Sequence, residues 1–107
     1  MGVWTDTAEM EYLSQHRWTR GGWDYEANNF YYSDADAWTY ELYQLPGEPG
    51  RNDYVEIRIP DLTPDGTFTA APAEQVQFLS HGEPVIPLKL VLRLVDLARE
   101  YGHLPTP

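Results

Sequence analysis

Carboxylates and aromatic rings are the residues of this chain whose spacing could do chemistry. Three acid pairs stand two residues apart: Glu9/Glu11, Asp24/Glu26 and Asp34/Asp36. In an extended strand each pair would present two carboxylates on one face, and in a turn it would gather them at one point. Asp34-Ala35-Asp36 could offer oxygen ligands to a hard cation such as Ca²⁺ or Mg²⁺. The spacing does not continue as a calcium-binding helix–loop–helix. Trp38 stands where a third oxygen ligand belongs, and Leu45 where a bidentate glutamate belongs. Turn-forming aspartates in solvent explain this pair better. We assign no metal and no cofactor.

The stretches Trp23-Asp24-Tyr25-Glu26 and Phe30-Tyr31-Tyr32-Ser33-Asp34 mix rings with acids. Rings supply large contact areas and anchor interfaces, while carboxylates beside them attract arginine or lysine. The same rings could line a pocket for a planar or sugar ligand. The competing reading is that they fill the core, because few leucines precede residue 79. Core filling does not account for all of them. Tyr31 and Tyr32 are consecutive and would face opposite sides of a strand, which leaves one outside. The binding candidates are therefore Trp23, Asp24, Tyr25, Glu26, Tyr31, Tyr32, Asp34, Asp36 and Trp38.

Catalytic signatures are absent from the sequence. It holds no glycine-rich phosphate loop, dinucleotide fingerprint, nucleophile elbow or His-Glu-x-x-His zinc motif. His16, His81 and His103 fit no metal-ligand spacing. Ser80 and His81 are adjacent, an arrangement that rarely brings a hydroxyl and an imidazole into productive contact. A lone acid–base carboxylate leaves no spacing signature, so the reading leans away from an enzyme on the missing motifs alone.

The composition is that of a folded chain. It has 107 residues, a hydrophobic fraction of 42% and an aromatic fraction of 14%. That size suits a single domain spanning 1–107, and both fractions are too high for disorder. We expect no membrane span and no signal peptide, since there is neither a long apolar run nor a basic, apolar leader. The absence of cysteine removes thiol chemistry and fits a cytoplasmic location.

The net charge is −10 and unevenly placed. Residues 1–20 carry three acids and two bases; residues 21–86 carry twelve acids and two arginines; residues 87–107 carry two acids and three bases. The middle of the chain must project a negative field. Nucleic acid and anionic membranes are poor partners for it, and basic proteins or cations are better ones. One lysine against six arginines, with much Ala, Gly and Pro, has the look of a GC-rich bacterial or phage coding sequence.

The elements that must position these residues end on a helix. In Pro87–Gly102 the polar residues Lys89, Arg93, Asp96 and Glu100 recur at steps of four, three and four, leaving a wide apolar arc. Proline at its start and glycine at its end punctuate it. The arc is too wide for one sheet, so the N-terminal segment or a second copy of the chain should cover its flank, and we expect a homodimer.

Upstream, Tyr54–Ile59 alternates cleanly, with Val55, Ile57 and Ile59 on one side and Tyr54, Glu56 and Arg58 on the other. Trp38, Tyr40 and Leu42 share one strand face, and Thr39, Glu41 and Tyr43 the other. Ala27-Asn28-Asn29 and Ser33–Asp36 read as turns, Pro46–Asn52 as a loop, and Gln75–Leu79 as a further strand. Residues 5–19 read either as a strand or as a short helix over Thr7–Ser14 followed by a strand towards Gly21-Gly22; we take the second. Residues 103–107 read as a frayed tail.

The expected fold is α+β: an antiparallel sheet of four to five strands with the long C-terminal helix packed on one face. Three functions fit. The first is an interaction module that binds a protein partner through an aromatic–acidic sheet face. The second is a DNA-mimic or immunity-type inhibitor of a basic nucleic-acid-binding protein. The third is a small-molecule binder or small enzyme with an aromatic-lined pocket.

Overall fold

Alternating polar and apolar residues in the middle of the chain resolve into one sheet in the computed structural model, which describes residues 16–20, 23–45 and 53–105. Its strands are β1 (His16–Arg20), β2 (Trp23–Tyr32), β3 (Ala37–Leu45), β4 (Tyr54–Pro60) and β5 (Gln77–His81). They pair antiparallel in chain order. One helix, α1 (Leu88–Glu100), follows and packs against the sheet. The fold is the expected α+β, with five strands.

The core lies between α1 and one face of the sheet. Register places Tyr40 opposite Ile57 and Leu42 opposite Val55 on that face, with Trp38 opposite Ile59. Trp18 and Tyr25 extend it towards β1. The helix contributes Leu90, Leu94, Leu97 and Ala98, all buried. Burying a large aliphatic side chain is worth about 1.5–3 kcal/mol. Leu88 and Leu92 stay 70% and 55% exposed, so the described part of the chain leaves one flank of the apolar arc open. The helix proposed over Thr7–Ser14 lies outside the described residues, as does the loop over Pro46–Asn52.

Three boundaries differ from expectation. Ala27-Asn28-Asn29 is not a turn, and β2 runs straight through it. Asn28 pairs with Glu41 and Asn29 with Tyr40. The Asn29 amide oxygen also accepts a hydrogen bond from Trp38 Nε1 at 3.0 Å. Cross-strand pairing overrides the turn preference of asparagine. The last strand begins two residues late, because Ala73–Gln75 closes a 3-10 turn after Pro72. The tail is not frayed at its start: His103 and Leu104 pack on the core.

The helix terminus makes that docking possible. Gly102 takes φ 82, in the left-handed region. Its N–H reaches the Arg99 carbonyl, and the His103 N–H reaches that of Ala98. This is the Schellman arrangement, which satisfies the last carbonyls and reverses the chain. His103 then lies on Trp38, with ring centroids 4.1 Å apart, and edge-on to Phe68 at 5.2 Å. Its Nδ1 hydrogen-bonds the hydroxyl of Tyr40, which is 1% exposed.

Burial lowers the His103 pKa below its ordinary value of 6.5. The unfolded chain therefore takes up a proton before the folded one does. Stability contributed by neutral His103 is complete above 6.5 and is lost as pH falls through the lower folded value. Urea unfolding at a series of pH values should show wild type weakening as pH falls below the ordinary value of 6.5, and His103→Phe weakening less steeply. Equal slopes would assign the acid sensitivity to other groups.

Candidate functional site

The face of the sheet away from α1 is polar because strand alternation sends every second residue of β2, β3 and β4 there. Register then sets three rows across the strands. Glu26, Tyr43, Tyr54 and His81 form one row; Asn28, Glu41, Glu56 and Leu79 the next; Phe30, Thr39, Arg58 and Gln77 the third. A pocket of about 310 Å³ opens where they meet. Its lining comes entirely from strand residues: Phe30 and Tyr32 of β2, Glu41 of β3, Tyr54, Glu56 and Arg58 of β4, and His81 of β5.

Glu56 is the anchor of this cluster. It is only 2% exposed and is fully partnered. Thr39 Oγ1 donates to Oε2 at 2.7 Å, and Arg58 donates through Nε to Oε2 at 2.9 Å and through Nη2 to Oε1 at 3.2 Å. His81 Nε2 lies 2.8 Å from Oε1. Burial alone would raise this carboxyl's pKa. The hydrogen bonds from Arg58, Thr39 and His81 outweigh burial and hold it below the ordinary value.

Glu41 sits directly opposite Glu56 and has the reverse balance. Among the described residues its side chain accepts one hydrogen bond, from the Tyr43 hydroxyl at 2.8 Å. Burial pushes its pKa up, the Tyr43 bond offsets part of that, the charge on Glu56 adds to the rise, and His81 and Arg58 pull against it. Opposed like charges on a sheet are destabilising.

Rings flank the acids. Tyr43 stacks on Tyr54 with centroids 4.5 Å apart, and Tyr54 stacks on His81 at 4.3 Å. On the other side Phe30 meets Tyr32 edge-on, and the Arg58 guanidinium lies 5.8 Å from the centre of the Tyr32 ring.

The nine residues proposed from the sequence do not assemble in one place. Asp24, Glu26 and Tyr32 are on the open face. Tyr32 lines the pocket, while Asp24 accepts from Thr19 Oγ1 at 2.7 Å and Glu26 pairs with Arg17 at 3.5 Å nearer the edge. Tyr25, Tyr31 and Trp38 belong to the helix side. Tyr25 is buried, Tyr31 donates its hydroxyl to Asp61 at 2.9 Å, and Trp38 packs on His103. Trp23 alternates with them at the hairpin end of β2 and is 42% exposed. Asp34 and Asp36 are exposed at the 3-10 turn between β2 and β3, with Asp36 at φ 49. The described residues contain no group of three His, Cys, Asp or Glu able to hold a metal. Glu9 and Glu11 lie outside those residues.

Phe30, Glu41, Tyr54, Glu56, Arg58 and His81 line the pocket and are not among the nine. Their alternation was readable, but the opposition of Glu41 and Glu56 depends on a pairing register that no single strand carries. Ser80 and His81 leave β5 on opposite faces, so they cannot act as a catalytic dyad. A second, apolar concavity of about 270 Å³ lies between Phe78, Val76, Val95 and Leu104, with Gln77 and Arg99 as its polar contributors. It lacks the convergent acids and imidazole of the open face. No described helix is long and apolar enough to cross a membrane.

No known protein family, curated protein or solved structure is significantly similar to the chain.

The two glutamates should separate cleanly in stability. Glu56→Gln leaves Arg58 without its counter-charge and should cost about 2–3 kcal/mol in urea unfolding. Glu41→Gln relieves a like-charge opposition and should leave stability unchanged or higher. An unaffected Glu56→Gln would show that the buried carboxylate does not hold this face together.

Proposed function

We propose that the protein is an interaction module that binds a basic protein partner through the open face of its sheet. The pocket between Phe30, Tyr32 and Tyr54, floored by Glu41 and Glu56, is the observation that carries this reading. Phe30 and Tyr32 are 41% and 39% exposed beside it, as anchors of a contact surface would be. Four carboxylates lie on this face, Asp24, Glu26, Glu41 and Glu56, and Arg17 and Arg58 pair with two of them.

Mimicry of DNA by the carboxylates fits less well. A phosphate-like surface needs free, evenly spaced acids, whereas Glu56 is consumed by Arg58 and His81 and Glu41 is half-buried between rings. The geometry favours a clamp for individual side chains over a track for a basic groove.

Fluorescence anisotropy with labelled oligoarginine and oligolysine peptides tests the reading. Phe30→Ala and Tyr32→Ala should weaken binding at least about tenfold, while Asp96→Asn on α1 should not. Equal affinities for all variants would mean diffuse charge attraction, and the reading would fall. The charge term should shrink with salt while the ring-dependent part persists.

A second copy of the chain is proposed for another surface, the exposed flank of α1. Leu88 and Leu92 are 70% and 55% exposed there, and Val85, just before the helix, is 74% exposed. Static light scattering should give a dimer mass for wild type and a monomer mass for Leu92→Glu. A monomeric wild type would end this proposal.

A further inference from the structure

We propose that the open-face pocket receives one guanidinium group, an arginine side chain of the partner, with Glu41 as its carboxylate acceptor. The inference rests on the interaction-module reading and specifies what that face recognises. Four observations lead to it.

The two carboxylates of the pocket are unequally answered. Arg58 answers Glu56, to which His81 also bonds, and no cation is hydrogen-bonded to Glu41 among the described residues. A partner's monocation would supply what is missing.

Glu41 is also held where a carboxylate is costly, half-buried and opposed to a like charge. The Tyr43 hydroxyl and the attraction of His81 and Arg58 offset only part of that cost. A site that gains on binding what it forgoes in the free state is the usual signature of recognition.

The rings suit a planar cation. Guanidinium stacks on aromatic faces and is less strongly hydrated than ammonium. Arg58 already shows the contact, with its guanidinium over Tyr32.

Finally, the pocket is of a size for one side chain. A concavity of about 310 Å³ lies at the lower end of small-ligand sites. Lysine would bring its charge there without the flat surface that rings can cover or the paired donors that meet a carboxylate.

The probe is N-acetyl-L-arginine amide, titrated into the full chain by ¹H–¹⁵N NMR, with the citrulline and lysine analogues alongside. Citrulline keeps the shape and loses the charge. Saturable shifts are expected at Phe30–Tyr32, Glu41 and Tyr54–Arg58. Citrulline and lysine should bind more weakly, citrulline by at least about tenfold. Glu41→Gln should weaken arginine binding to a similar extent, and Glu41→Asp, which keeps the charge, should lose less. Their spectra report directly whether each variant is folded.

Shifts confined to other surfaces, equal arginine and citrulline affinities, or an unaffected Glu41→Gln would each overturn the inference. If such a result comes while oligoarginine binding still depends on Phe30 and Tyr32, the interaction-module reading stands and only the arginine pocket falls. If arginine amide maps to the pocket but peptide binding ignores Phe30 and Tyr32, the interaction-module reading falls and the cation pocket stands.

Discussion

The pairing of β3 with β4 sets both faces of the molecule at once. With Tyr40 opposite Ile57, the apolar halves of both strands meet α1, and the same register puts Glu41 opposite Glu56 on the other side. A slip of one residue would turn the core outward and bury the acids under the helix. Apolar burial on one face therefore fixes a polar arrangement that would not form by itself. The pocket is held in place by the hydrophobic effect acting one layer below it.

The two glutamates show how one environment produces opposite outcomes. Both are partly or wholly removed from water, and desolvation acts on each in the same direction. Glu56 gathers a hydroxyl, a guanidinium and an imidazole, and becomes part of the scaffold. Glu41 has a tyrosine hydroxyl, and its negative charge is only partly compensated. The first is fixed in the pocket floor by its partners, and the second leaves a partly compensated charge there. A buried charge with full hydrogen bonding and one without it are different devices, even a strand spacing apart.

Much of the fold was legible because it rests on local periodicity. The four–three–four polar steps of α1, the alternation of Tyr54–Ile59 and the shared face of Trp38, Tyr40 and Leu42 all survive in the structure. What failed locally was punctuation. Asn28-Asn29 resembled a turn, but its cross-strand partners kept it extended. His103 resembled the start of a loose tail, but the reversal at Gly102 folded it back onto Trp38.

The site was less legible for a related reason. Searching for rings beside acids found Tyr32 but also drew in Tyr25 and Trp38, because neighbours in sequence alternate between faces. The cluster around Glu56 draws on three strands, and only their mutual register assembles it.

The distribution of indoles has an optical consequence. Trp18 and Trp38 lie in or against the helix-side core and Trp23 at the hairpin end, whereas the pocket walls are phenylalanine, tyrosine and histidine. Emission from Trp18 and Trp38 therefore reports whether the helix is seated on the sheet. A ligand entering between Phe30 and Tyr54 would touch none of these three indoles and would leave that report undisturbed.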